Sequence, residues 1–134
     1  MISDDYIHLV EKLVERTKAG EVNWKSTVSD NEFMVYFKNF SLSVSTSYDP
    51  DEDRGFAYLS LRNDSGKEID KFWIDQDDEH FQMISDMHAG ARRKAFRIDE
   101  ALHTIMSELN SDGAVGLKKK PAKNVDNFDD DIPF

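Results

Sequence analysis

The sequence predicts an α+β domain: an antiparallel four- to five-stranded meander sheet, an N-terminal helix, one or two C-terminal helices and then a flexible acidic tail. Three observations carry this expectation. Apolar residues recur at helical spacing at both ends of residues 1–110. Between those ends they alternate at the period of a strand. The connections between the strand-like segments are too short for parallel crossovers, so consecutive strands pair as neighbours.

The first helix follows Ser3 or Asp4 as cap, with Tyr6, Val10, Leu13, Val14 and Thr17 on one stripe. Gly20 stands where a glycine in the left-handed conformation would end it. Val22, Trp24, Ser26 and Val28 then alternate as a half-buried strand would. After a turn at Asp30 and Asn31, Phe33 to Phe37 are apolar on both parities, which suits a central strand covered on both faces. From Phe40 the alternation is unbroken, with Phe40, Leu42, Val44 and Thr46 inward and serines outward. The polar stretch Asp49 to Gly55 is a loop, and two further strands, "FAYLSLRN" and "KEIDKFWI", meet at "DSG".

From Asp77 the period becomes helical. Asp77 or Asp78 is placed to cap a helix whose stripe is Phe81, Ile84, His88, Ala91 and Ala95. Ile98, Leu102, Ile105 and Leu109 continue it, as a second helix if Asp99 caps one. Met34, Tyr36, Tyr58 and Phe72 or Trp73 fall on the opposite sheet face. Either the helices divide between the two faces or the open face pairs with a second subunit, and a homodimer is the favoured expectation. The domain ends near Asn110; residues 111–125, with Gly, Pro and Lys and no periodicity, form a linker, and residues 126–134 an acidic tip.

Composition narrows the function. The chain has 134 residues, no cysteine and a formal net charge of −10. Without thiols it has neither disulfides nor thiolate metal sites, which fits a cytoplasmic protein. No apolar run reaches the ~20 residues of a membrane span, and "MISDDYIHLV" lacks the basic start and long apolar stretch of a secretion signal. Residues 1–110 carry 13 Lys and Arg against 22 Asp and Glu, a balance that opposes direct binding of nucleic acid.

Candidate chemistry within the body is weak. Asp49, Asp51 and Asp53 alternate like oxygen ligands for calcium, but the glycine comes one place late and Ser60 stands where a bidentate glutamate is needed. Glu100 and His103 have the spacing of a di-iron motif without the second motif or the further glutamates. His88 lies on the apolar stripe, as a buried and hydrogen-bonded histidine would, and His80 is two turns away. His8 falls on the polar side of the first helix. The cluster Arg92, Arg93, Lys94 and Arg97 could touch phosphate or an acidic peptide, this chain's own tail included, but the favoured expectation is that it complements a helix C-terminus and offsets the acidic sheet. Trp24, Tyr36, Phe37, Phe40, Tyr58 and Trp73 could stack bases on a sheet, but core packing accounts for most of them. No glycine loop opens a phosphate-binding helix, and no nucleophile–base set stands out by spacing. The expectation is a non-enzymatic protein with no catalytic residue, cofactor or metal.

The tail is more informative. "NFDDDIPF", Asn127 to Phe134, places the chain's most hydrophobic triplet directly after its densest acidic run. Pro133 restricts the backbone and biases Ile132 to an extended shape, lowering the entropy lost on docking. Phe134 unites a ring with a terminal carboxylate, which a receptor can bury and grip together. Phe128, Asp129, Asp130, Asp131, Ile132, Pro133 and Phe134 resemble the C-terminal tip of bacterial single-stranded DNA-binding proteins (SSB), with Asn127 replacing the family's first aspartate. The resemblance implies that these seven residues are a partner-binding peptide for SSB-interacting helicases, exonucleases, recombination mediators and polymerase accessory subunits. It would recruit them or compete with SSB for them. The alternative is a divergent single-stranded DNA-binding protein with an autoinhibitory tail. The body departs from the SSB pattern, because it opens with a helix and lacks the glycine-rich strand turns of the OB-fold. Its junction Thr17, Gly20, Trp24 resembles one found in small bacterial domains of no assigned activity.

Overall fold

The computed structural model describes residues 2–117. The elements in order are α1 (Asp4–Lys18), β1 (Lys25–Ser26), β2 (Glu32–Tyr36), β3 (Phe40–Asp49), β4 (Arg54–Asn63), β5 (Glu68–Asp75), α2 (Phe81–Ala95) and α3 (Ile98–Leu109). The five strands form one antiparallel meander in the order β1-β2-β3-β4-β5, the expected α+β arrangement. Two units are distinguished, Met1–Ala101 and Leu102–Phe134.

Helix α1 buries Val10, Leu13 and Val14, while Asp4 and Asp5 in its first turn and Arg16 and Lys18 in its last complement the helix dipole. It ends in a Schellman motif. Gly20 takes φ +75°, the Gly20 N–H donates to Thr17 O, and the Glu21 N–H donates to Arg16 O. Helix α2 buries Ile84, Met87, His88 and Ala91. It begins at Phe81, later than Asp77 or Asp78 would place it. The carboxylates of Asp75 and Asp78 instead accept from the N–H groups of Asp77 and His80, forming turns that precede the helix. Arg97, at φ +55°, separates α2 from α3, so the C-terminal region holds two helices. Asp99 lies inside the first turn of α3 rather than capping it.

Registration sorts the strand residues into two faces. Phe33 pairs with Val44 and Val35 with Leu42, while Leu42 and Val44 pair with Leu61 and Leu59. Leu59 and Ala57 lie opposite Phe72 and Ile74. This face meets the helices. Tyr6 of α1 packs edge-on against Phe72, and Phe33 packs against His88 and Phe96 at centroid distances of 5.2 and 5.4 Å. Both α1 and α2 cover this face. Met34, Tyr36, Tyr58 and Trp73 share the other, which the helices leave open; Phe72 belongs to the covered one.

Three strand expectations are corrected. The segment from Val22 to Val28 pairs only at Lys25 and Ser26; Val22 and Trp24 are buried, but Val28 is fully exposed beyond the pairing. Strand β2 is covered on one face only, since Tyr36 is 68% exposed. Phe40 is half exposed at the sheet end, and the outward Ser41 and Ser43 are buried. No helix among the described residues is long and apolar enough to cross a membrane.

Candidate functional site

The seven tip residues, Phe128 to Phe134, lie outside the described residues, as does most of the linker. The described residues place the other candidates in structural roles. Asp49 accepts from the Asp51 N–H at 3.0 Å, and Asp53 takes φ +53° while accepting from the Tyr48 hydroxyl. This forms the β3–β4 turn. Arg54 at its end pairs with Asp77 and, at 3.3 Å, with Asp75. The carboxylates beside Arg54 hold its pKa above the ordinary arginine value, chiefly through the Asp77 hydrogen bond. Among the described residues no three His, Asp or Glu side chains converge as metal ligands.

Glu100 is held by Arg97, whose Nε donates to it at 2.9 Å, and this bond pulls the Glu100 carboxyl below its ordinary range. Arg93 pairs with Asp99, Lys94 donates to the Gly20 carbonyl at 3.2 Å, and Arg92 lies over the Phe96 ring. The basic cluster thus ties helix ends together instead of presenting a free cationic surface. His80 stands 3.3 Å from Asp78, and His8 is an exposed neighbour of Glu11. The His88 Nε2 lies 2.8 Å from the Asn31 carbonyl, joining α2 to the turn before β2. That is the buried, satisfied histidine its place on the stripe implied.

Two surface features remain, and neither stands out in the sequence. On the open sheet face a polar hollow of about 280 Å³ has Ser43, Ser45 and Ser60 on its floor, with Arg62, Lys71, Glu32 and Glu68 around it. Ser60 donates to Glu68 at 2.8 Å, and Arg62 stands 4.0 Å from Glu32. Two cations and two carboxylates balance, so the hollow has no net pull on a polyanion. The Arg62 Nε is buried there without a partner. Cross-strand register assembles this group from the four strands β2 to β5, which alternation alone cannot display.

The second feature is an apolar groove of about 780 Å³ between α1 and the end of β2 and β3. Leu9, Leu13, Val22, Phe37 and Phe40 line it, with Lys12 and Arg16 at its side. The β2–β3 hairpin positions both phenylalanines: Phe37 N–H donates to Phe40 O at 2.8 Å around Lys38 and Asn39, and Asn39 supplies the positive φ of 68°. Phe37 and Phe40 are therefore held half exposed at the hairpin tip. Volume and lining fit an apolar ligand or an apolar helix face.

Comparison of the chain with protein-family models, with curated proteins and with solved structures gives no match in any of the three.

Proposed function

We propose that this chain is a non-enzymatic adaptor whose segment Phe128–Phe134 docks onto proteins that bind the SSB tip. It would act in the cytoplasm, recruiting such helicases, exonucleases, recombination mediators or polymerase accessory subunits, or competing with SSB for them. The observation that carries the proposal is the run Phe-Asp-Asp-Asp-Ile-Pro-Phe itself. Ile132 and Phe134 supply apolar anchors, Pro133 reduces the ordering cost, and Asp129, Asp130 and Asp131 suit a basic rim that steers encounter. In a chain ending at Phe134, a receptor arginine or lysine would also grip the carboxylate.

The test is capture from bacterial lysate by the intact protein and by the same protein lacking Phe134. Helicases and nucleases of DNA replication and repair retained only by the intact chain support docking. Identical captures by both proteins overturn it.

A second reading, direct binding of single-stranded DNA by the body, draws on Trp73 and Tyr36, both exposed on the open sheet face near Lys71 and Arg62. Glu32 and Glu68 on that face and the net charge of −10 weigh against it. An oligothymidine titration at low salt decides the matter. Saturable binding that tightens when Asp129, Asp130 and Asp131 become Asn favours this reading, and no binding by either protein ends it.

A further inference from the structure

Besides the mixed polar and aromatic open face of the sheet, two apolar surfaces stay uncovered among the described residues. One is the groove beside α1. The other is on α3, where Leu102, Ile105, Met106 and Leu109 recur at the i, i+3, i+4, i+7 spacing of one helix face. Each of these four residues is between 54% and 56% exposed, and α3 has no buried residue. An isolated twelve-residue helix is marginal in water, so an amphipathic helix of this length normally owes its stability to a partner for its apolar face.

We propose that the chain forms a twofold homodimer in which α3 of each copy lies in the groove of the other. The two surfaces match in kind. A helix presenting four large aliphatic side chains over two turns meets a groove walled by leucine and phenylalanine. They also match in charge. Helix α3 has no lysine or arginine, and with Asp99 and Glu100 paired to Arg93 and Arg97 it offers the Glu108 carboxylate, whereas the groove is flanked by Lys12 and Arg16 one helical turn apart. Arg16 is held by Glu21 at 2.6 Å, whereas Lys12, 83% exposed at its side chain, stands 4.0 Å from Glu15, so Lys12 is the more loosely held cation and the one α3 can draw. Twofold symmetry forms the contact twice, so each helix–groove pair contributes only half of the roughly 1,600 Å² of a standard interface.

The mode of exchange makes a specific prediction. Sedimentation equilibrium of the full chain gives twice 15.5 kDa. Ile105→Glu on the helix, and separately Leu9→Glu or Phe37→Glu in the groove, each weaken self-association by on the order of a hundredfold. All three positions are solvent-exposed, and an unchanged far-UV circular dichroism spectrum verifies that the fold is retained. An equimolar mixture of the helix variant and a groove variant associates again, because one intact helix still meets one intact groove. Phe134→Ala, which removes the docking proposed above, leaves the dimer unchanged. A monomeric wild type, a folded groove variant that stays dimeric, or dissociation by Phe134→Ala overturns the proposal.

Discussion

The indole N–H of Trp24 donates to the hydroxyl of Thr17 across 3.0 Å. Trp24 is 2% exposed, so this bond satisfies a donor that water cannot reach and fixes the first strand segment to the end of α1. With Gly20 reversing the chain between them, it gives the Thr17–Gly20–Trp24 junction a physical basis. Thr17→Val should destabilise by about 1–3 kcal/mol, since it leaves a buried N–H without an acceptor. Urea unfolding followed by tryptophan fluorescence measures this directly.

Gly90 on α2 faces the same threonine. A Cβ added there would meet Thr17 Cγ2 at 3.0 Å, tighter than an ordinary contact. Thr17 cannot rotate away without breaking its bond to Trp24. Gly90→Ala should therefore destabilise the wild type despite a helix-propensity gain of about 1 kcal/mol. In a Thr17→Ser background, where Cγ2 is absent and the hydroxyl remains, the same change should stabilise. The four proteins form a double-mutant cycle whose interaction energy reads the contact.

Tyr6 donates to Asp70 at 2.6 Å from α1 to β5. Burial, reinforced by this hydrogen bond and by the Asp70 charge, pushes the Tyr6 pKa up to about 12, and the same bond draws the Asp70 carboxyl below its ordinary value. A phenol whose folded pKa is raised contributes stability that is complete below its unfolded value, about 10, and lost as pH rises toward 12. A carboxylate whose folded pKa is lowered contributes stability present above about 4 and lost as pH falls below it. Melting temperature should decline across both windows, and Tyr6→Phe should flatten both slopes.

The docking proposal carries its own salt signature. If Asp129, Asp130 and Asp131 meet a basic rim, affinity for a captured partner should fall as ionic strength rises. Replacing the three by Asn should lower the association rate more than it raises the dissociation rate, while Phe134→Ala should act mainly on dissociation. Surface plasmon resonance separates the two constants.

Much of the fold was legible because local signals agreed with tertiary ones. The α1 stripe ending at Gly20, the hairpins and the α2 stripe each follow from one dominant period. The misreadings fall where sheet context overrides alternation. Val28 keeps the strand period yet lies beyond the last paired residue, so Val28→Asp should change stability by less than about 0.5 kcal/mol. Ser43 looks like a solvent-facing serine but is 2% exposed, flanked by Met34 and Ser60 on neighbouring strands. Met87 is buried on α2 one position from the stripe, where its apolar character alone does not distinguish core from surface. The groove is not legible in the sequence because its walls come from α1, the segment after it and a hairpin tip, residues far apart in the chain.

The two outer strands differ in length but present the same obstacle to polymerisation. Strand β1 pairs through only two residues, too few to template another strand. Strand β5 is longer, but its first half is charged at Glu68, Asp70 and Lys71, and a bulge against Leu61 and Arg62 breaks its regular pairing. Another chain seeking to extend the sheet would have to bury those charges and match an irregular register. Although one sheet face is left open by the helices, neither edge of the meander thus offers a long, regular, uncharged template for a further strand.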